Sequence, residues 1–350
     1  MGKKKRTTLP KDFQEILERG DSQEILAVFD SCDVNARGGY GKQTAIAFDQ
    51  CPDEVVRWLC ENGADLSATN TWGRSALHIR SRSGRGDIRI LLEVGANLTA
   101  RDTYGDTPLH SAANSHNARS AKLLIEHGAK VEEKNNEGLT PLEVGLRSCR
   151  NIDIENTVDL ARVFLAAGAQ KSDSARKFVE TIGQTFEFHR EGFNKDSVDD
   201  VSRSLEQLYA LFDVAPIPRK QQYDGKSSII PTSATWQSQH EELWNLLVPS
   251  SGHANTVQGE LIRVSGRIAN EIEGNGGANW DSDFKKMAEC FVQMLQQGEQ
   301  LSIEEVAEAK NIVKSIKSSN VSSNRLAQLA VAWVKKNSSP ILLKKTEYKR

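Results

Sequence analysis

Apolar side chains recur along much of the chain at the three- and four-residue spacing of an α-helix with one buried face. In the segment 118–127, Ala121, Leu124 and Ile125 fall on one such face. The segment 254–273 carries a longer stripe, made of Val257, Leu261, Val264, Ile268 and Ile272. Because this periodicity is found in both halves of the chain, we predict an all-α fold.

A repeat of 32 or 33 residues is superimposed on the helices in the first half of the chain. Four glycines each open the same phrase, in which Thr or Ser, then Pro or Ala, then Leu or Ile follow at fixed places: Gly41, Gly73, Gly105 and Gly138. A Gly-Ala pair follows each phrase, at 63–64, 95–96, 128–129 and 168–169, with an insertion near residues 150–156. Such a period indicates stacked supersecondary units that bury their apolar faces against one another.

The third repeat shows how the residues of each unit would form it. Thr107 can accept a hydrogen bond from the start of a helix, and Pro108 suits the first helical position because the N–H that it lacks has no partner there. A second helix is predicted over 118–127. Gly128 can take the left-handed conformation that ends it.

These phrases resemble the ankyrin repeat. The match is closest for Thr-Pro-Leu-His at 107–110, clear for Ser-Ala-Leu-His at 75–78 and Thr-Pro-Leu-Glu at 140–143, and weakest for Thr-Ala-Ile-Ala at 44–47. The resemblance implies a solenoid of helix pairs joined by finger-like turns, in which His78 and His110 bridge the backbones of adjacent repeats. A degenerate helix pair at 12–19 and 22–30 would cap the N-terminal end.

The period ends near residue 171 while helical periodicity continues. We therefore predict an ankyrin-repeat solenoid followed by a C-terminal helical domain. The divisions are a basic flexible tail (1–10), a degenerate cap with four repeats (11–171), a helical cap or connector (172–212), a loop or tether (213–235) and the C-terminal helical domain (236–350).

Helices are predicted at 174–192 and 198–212 in the connector, and at 236–248, 254–273, 281–297, 302–317 and 322–336 in the C-terminal domain, the fourth of these opened by a capping box of Ser302 and Glu305. Three phrases, at 246–252, 256–260 and 275–281, look like a module of uncharacterised bacterial proteins. That resemblance implies no established activity.

Composition and charge exclude several classes of protein. A hydrophobic share of 38% with 26% charged residues is ordinary for a soluble globular chain, and no apolar run reaches the ~20 residues of a membrane span. We expect no membrane association and a cytoplasmic location. The 23 basic and 24 acidic residues through Lys171, and the 22 and 23 after it, leave neither half with the basic excess of a nucleic-acid binder.

The sequence contains no complete motif for catalysis, for a metal or for phosphate binding. His240-Glu241 lacks the second histidine of a zinc protease, and the glycines at 274–277 lack the spacing of a phosphate loop. The five cysteines show no Cys-x-x-Cys pairing and are interpreted as reduced core residues. We therefore predict no cofactor and no metal.

The densest charge of the C-terminal domain gives a candidate polar patch of Glu260, Arg263, Arg267 and Asp281. An ion-paired surface or an internal polar network is the favoured interpretation. The alternative is a hydrolytic or transferase pocket in which Glu260 and Asp281 act as acid and base and the arginines hold an anionic substrate.

Three aromatic residues, Tyr40, Trp72 and Tyr104, each stand immediately before a repeat glycine, so stacking would align them along the fingertips. Exposed Tyr and Trp are typical of binding hot spots, whereas packing against a neighbouring finger explains the row equally well. Arginines around Trp72 suggest a partner with acidic groups. The candidate partner-binding residues are Tyr40, Trp72, Arg74, Arg80, Arg82, Tyr104 and Asn114, and Arg85 adds to the basic character.

Two functions are compatible with these features. The favoured one is a non-enzymatic protein-binding protein that uses the ankyrin groove and finger edge, such as a bacterial inhibitor or immunity protein that masks its partner. The alternative is an enzyme or effector in which the repeats select a target and the C-terminal domain acts on it. Ankyrin domains have no chemistry of their own, and the C-terminal domain lacks a complete catalytic motif, so binding is favoured.

Overall fold

The computed structural model describes residues 5–84, 87–194, 197–219, 223–315 and 323–349. Its contacts divide the chain into two units. One comprises Met1–Phe186 with Asn194–Ile217, and the other comprises Glu187–Phe193 with Pro218–Arg350. Both are built mainly of helices, which confirms the predicted all-α class. No helix among the described residues is both long enough and apolar enough to span a membrane.

A small sheet and a helix pair precede the repeats. The strands are β1 (Arg6–Thr8), β2 (Cys32–Gly38) and β3 (Gln43–Thr44); β1 runs parallel to β2, and β3 runs antiparallel to it. Between β1 and β2 lie α1 (Phe13–Arg19) and α2 (Ser22–Ser31), close to the predicted helix pair.

The flexible tail predicted for residues 1–10 is corrected by the part of it that the structure describes. Besides forming β1, this segment buries Leu9, whose N–H donates to the Arg37 carbonyl at 3.0 Å. Backbone pairing and apolar burial together offset the entropy of ordering it. Three residues are too few to show a strand periodicity in the sequence.

The four repeats each contain two helical segments. They are a 3₁₀ turn (Ala45–Ala47) with α3 (Asp53–Glu61), α4 (Ala76–Arg82) with α5 (Arg89–Glu93), α6 (Pro108–Asn114) with α7 (Ala118–Glu126), and α8 (Pro141–Ser148) with α9 (Ile154–Ala166). The first segments stack on one another, as α4 on α6 and α6 on α8, and α7 likewise packs on α9. The predicted ends of the third repeat are confirmed, since Thr107 caps α6, Pro108 begins it and Gly128 has a φ of 94°.

Two longer helices follow the last repeat, α10 (Asp173–His189) and α11 (Val198–Phe212). Five residues of α11 are buried: Ser202, Leu205, Leu208, Tyr209 and Phe212. α11 packs against α9, and Gly183 of α10 lies directly against Tyr209. This is the arrangement that the predicted capping of the repeat stack requires.

The C-terminal unit contains α12 (Trp236–Leu247), α13 (Val257–Ala269), α14 (Ser282–Met294), α15 (Ile303–Ser315) and α16 (Asn324–Lys336). α13 is its centre, packed on α12, α14 and α16, and it continues into a π-helical turn at Asn270–Gly274. The fully buried Trp333 of α16 anchors the core. The capping box predicted for α15 is present: Ser302 N–H donates to Glu305 Oε2 at 3.0 Å, and Glu305 N–H donates to Ser302 Oγ at 3.2 Å.

The segment predicted as a loop or tether has no helix in its described parts, 213–219 and 223–235. Its second part is attached to the C-terminal unit. Ile229 is fully buried and its N–H donates to the Ser338 carbonyl at 2.7 Å. The Glu242 carboxylate accepts hydrogen bonds from the N–H groups of Thr232 (3.0 Å) and Ser233 (2.9 Å). These contacts make residues 223–235 a loop draped over the helices.

Candidate functional site

Each finger after the first is shaped by one Asn or Asp side chain. Asn70 Oδ1 accepts hydrogen bonds from the N–H groups of Trp72 and Arg74, at 2.9 and 3.0 Å. Asp102 Oδ1 accepts in the same way from the N–H groups of residues 104 and 106, at 2.8 and 3.1 Å. Asn135 Oδ1 accepts from the N–H groups of residues 137 and 139, both at 3.0 Å. The side chain thus fixes the finger backbone.

Sequence reasoning missed these three residues because it took the glycines as the markers of the turn. The signal was available, since each one stands three positions before a repeat glycine. The first finger has Gly38 at that place and turns differently, with positive φ at Gly39 (69°) and Lys42 (51°).

Backbone hydrogen bonds join each finger to the next. Thr71 N–H donates to the Gly41 carbonyl at 3.0 Å, Thr103 N–H to the Trp72 carbonyl at 3.2 Å, and Asn136 N–H to the Tyr104 carbonyl at 3.0 Å. Gly105 is required at its finger because it has a φ of 76° and because a Cβ there would lie 2.8 Å from Asn136 N. The fingers therefore form one continuous, rigid edge.

Buried histidines tie the helices to the fingers, as the family resemblance implied. His78 Nδ1 accepts from Ser75 N–H at 3.2 Å, and its Nε2–H donates to the Asp106 carbonyl at 2.9 Å. His110 repeats the pattern with Thr107 and the Leu139 carbonyl, at 3.1 Å each. Burial lowers the pKa of both imidazoles more than the backbone hydrogen bonds raise it, so they are neutral at pH 7.

The three aromatic residues lie along this edge with unequal exposure. Tyr40 is 94% exposed and Tyr104 is 53% exposed, whereas Trp72 is half-buried. Trp72 packs across Gly41, where a Cβ would lie 2.7 Å from the indole, and its ring centroid is 5.8 Å from that of Tyr40. Packing against the first finger explains the position of much of the Trp72 side chain. It does not explain why the two tyrosines are exposed.

Most of the arginines predicted to attract an acidic partner are not free on the surface in the part of the chain that the structure describes. Arg80 is 2% exposed, so its prediction as a contact residue is wrong: its place on α4 turns it inward, near Asp49 and Cys51. Arg74 is already paired, because its Nε donates to the buried Asp102 Oδ2 at 3.0 Å and so links two fingers, and its contact with a partner stays a prediction. Arg85 lies outside the described residues.

Arg82 and Asn114 end α4 and α6, and both are half-buried. The Arg82 guanidinium forms no ion pair or hydrogen bond within the described part of the chain. Burial and the neighbouring charge of Arg74 lower its pKa, although Asp106 and Asp102 oppose this. Among the described arginines of the predicted basic set, Arg82 is thus the one whose guanidinium is still able to meet a carboxylate.

In the C-terminal unit, Glu260 is the centre of a buried network. Arg263 donates to both of its oxygens, from Nε at 2.8 Å and from Nη2 at 2.6 Å. His253 Nδ1 lies 2.9 Å from Oε1, Ala254 N–H donates to Oε2 at 2.9 Å, and the Tyr348 hydroxyl donates to Oε1. Burial alone would raise the pKa of Glu260, but the hydrogen bonds and charge of Arg263, with those of Tyr348 and His253, lower it to about 2.

The predicted polar patch is therefore divided. Glu260 and Arg263 are buried, whereas Asp281 is exposed and caps α14 by accepting from the N–H groups of Asp283 and Phe284, at 3.0 Å each. Arg267 is half-buried on α13. The grouping of Asp281 with Glu260 is wrong because the Asp281 side chain is engaged by its own helix. An acid and base pair of these two has no support in this geometry.

No group of three or more His, Cys, Asp or Glu side chains in the described ranges is arranged to hold a metal ion. All five cysteines are free. Burial raises the pKa of Cys51 and of Cys149 to about 12, so both are thiols at neutral pH.

Comparison with known proteins identifies the repeats. The family model for ankyrin repeats (3 copies) matches residues 43–135 and 88–173, which confirms the resemblance predicted from the sequence. No curated protein sequence matches the chain. The resemblance of the C-terminal phrases to bacterial proteins stays a prediction.

Proposed function

Because residues 43–173 form ankyrin repeats, we propose that this protein binds a protein partner through the finger edge and acts by that contact instead of by catalysis. One observation carries the proposal. Tyr40 and Tyr104 are large amphipathic side chains exposed on the first and third fingers of a single edge, at 94% and 53%. Such side chains contribute most per residue to protein interfaces.

The construction of the edge adds to this support. The Asp102 side chain fixes the backbone at Tyr104, and the bond from Thr71 N–H to the carbonyl of Gly41 ties the finger of Tyr40 to the next one before a partner arrives. A rigid edge loses little conformational entropy on binding. Trp72 serves the same end by supporting Tyr40 and the first finger.

The partner that fits best carries a carboxylate near an apolar contact. Arg82 is the residue that supports this choice, since its guanidinium has no acidic partner among the described residues. Asn114 offers an amide at the corresponding end of the next repeat helix. An acidic side chain placed between these two would be bound by a charge-assisted hydrogen bond.

Within this proposal, the specific role is that of a cytoplasmic bacterial inhibitor or immunity-type protein that masks its partner. The enzyme or effector alternative is less well supported. The buried charged cluster around Glu260 in the C-terminal unit has this carboxylate already bonded by Arg263, His253, Ala254 and Tyr348. A carboxylate in that state is poorly suited to acid or base catalysis near pH 7.

The proposal is tested by isolating a partner and measuring its affinity. A partner captured from the source cells is purified, and its Kd is measured by titration calorimetry against the wild type and against Tyr40→Ala and Tyr104→Ala. Each substitution should weaken binding by about 2 kcal/mol, roughly thirtyfold, with little change in Tm. Ile152→Ala is the matched control, because Ile152 is 77% exposed in the same repeat domain and lies outside the fingers.

Unchanged affinity in both tyrosine variants, or an equal loss in the Ile152 variant, would rule out the finger edge as the contact. Arg82→Gln tests the charge separately. Its affinity should be lower than that of the wild type at low salt, and the difference should shrink as the salt concentration is raised.

A further inference from the structure

A cavity of about 510 Å³ opens between α14 and α15 in the C-terminal unit. Its size falls within the range of roughly 300–1,000 Å³ that is typical of small-molecule sites. It has no part in the proposed partner binding by the repeats. The described residues that line it are Trp280, Lys285, Ala288, Glu289, Val292, Lys310, Val313 and Lys314.

The floor of the cavity is apolar and has one flat wall. Ala288 and Val292 of α14 are buried beneath it, and Val313 of α15 is partly buried. The Trp280 indole is stacked on Phe284, with ring centroids 5.2 Å apart and planes 15° from parallel. The stacking fixes the indole at the rim, where it offers a planar apolar surface to a ligand.

The rim is positively charged. Lys285, Lys310 and Lys314 surround the floor, opposed by the single carboxylate that Glu289 contributes to the described lining. The ammonium group of none of these lysines forms an ion pair or hydrogen bond within the ranges that the structure describes. Lys310 and Lys314 are four residues apart on one helix, a spacing at which like charges repel. An anion bound between them would relieve that repulsion.

Solvated lysines are common on helices, and three of them would not by themselves indicate a site. Here they converge on an apolar cavity with an aromatic wall, which combines the two halves of a binding site for an amphiphilic anion. We propose that this cavity binds a small molecule with a flat apolar body and an anionic group. The body would lie against Trp280 and Val313, and the anionic group would meet the ammonium groups of Lys310 and Lys314.

A pair of dyes tests both halves of the proposal on the full chain. 8-Anilino-1-naphthalenesulfonate has a planar naphthalene ring that carries one sulfonate, and N-phenyl-1-naphthylamine has the same rings without the charge. Fluorescence titration should show saturable binding of one sulfonate dye per chain at this site, about tenfold tighter than the neutral dye. Absence of saturable binding of the sulfonate dye would overturn the proposal, as would equal affinity for the two dyes.

Variants locate the site. The double variant Lys310→Gln with Lys314→Gln should lower the affinity for the sulfonate dye about tenfold. Its affinity for the neutral dye should change less than about twofold. Lys286→Gln is the control, since Lys286 is exposed on α14 and does not line the cavity. Trp280→Leu should lower the affinity for both dyes. If Lys286→Gln has the same effect as the double variant, the attraction is a general surface charge and the site is not where we place it.

Discussion

Replacement of Glu260 by Gln offers the sharpest test of how the C-terminal unit is held together. The carboxylate is fully buried and accepts hydrogen bonds from Arg263, Ala254 and Tyr348. Gln has nearly the same shape but no charge. Its NH₂ group would face a hydrogen-bond donor where Glu260 has an accepting oxygen. Removal of one member of a buried ion pair leaves the other charge uncompensated, so we expect a loss of about 3–5 kcal/mol in the free energy of unfolding at pH 7.

The pH dependence of unfolding gives an independent estimate of how much the ionised Glu260 carboxylate stabilises the fold. A pKa of about 2 in place of the ordinary 4.5 corresponds to about 3 kcal/mol of stabilisation. Because the pKa is lowered on folding, the stabilisation is complete above about pH 5 and is lost as the pH falls from about 4.5 towards 2. At pH 3 about 2 kcal/mol of this stabilisation should be lost. The stability difference between wild type and Glu260→Gln should therefore shrink by about 2 kcal/mol between pH 7 and pH 3.

Urea denaturation followed by tryptophan fluorescence is a suitable assay, because four of the six tryptophans lie after residue 235 and Trp333 is fully buried in the core. Glu241→Gln serves as the control, since Glu241 is exposed on α12 and undergoes the same change of charge. If the two variants were equally stable at pH 7, the buried network would not have the role we assign to it. A difference as large at pH 3 as at pH 7 would refute the argument from the lowered pKa.

Three further predictions concern the repeat domain. Trp72→Ala should lower its free energy of unfolding by about 1–3 kcal/mol in thermal melts, because the indole packs on the first finger; an unchanged melt would show that this packing is dispensable. A chain ending at Lys171 should melt earlier and be less soluble than one ending at Ile217, because it exposes the face of α9 that α11 covers; equal behaviour would remove the capping role. Gly105→Ala should be more destabilising than Gly128→Ala, because both have positive φ but a Cβ at Gly128 meets nothing; similar losses, of about 1–2 kcal/mol each, would mean that the finger contact yields easily.

Local signals in the sequence were enough to predict the repeats and most of the helices. Caps such as Thr107 with Pro108, and Ser302 with Glu305, act within one helical turn, so their residues can be recognised without knowledge of any distant contact. The repeat period then placed Tyr40 and Tyr104 on a common edge, because identical units stack in register.

Tertiary structure alone decided which charged side chains stay available for binding. Arg74, Arg80 and Arg82 are similar in sequence, yet one links two fingers, one is buried and one has a guanidinium without an ion-pair partner in the described chain. Glu260 meets Tyr348 from 88 positions away. Burial and pairing depend on what the rest of the chain brings within a few ångströms of a side chain, and residue spacing carries no record of contacts across such a distance.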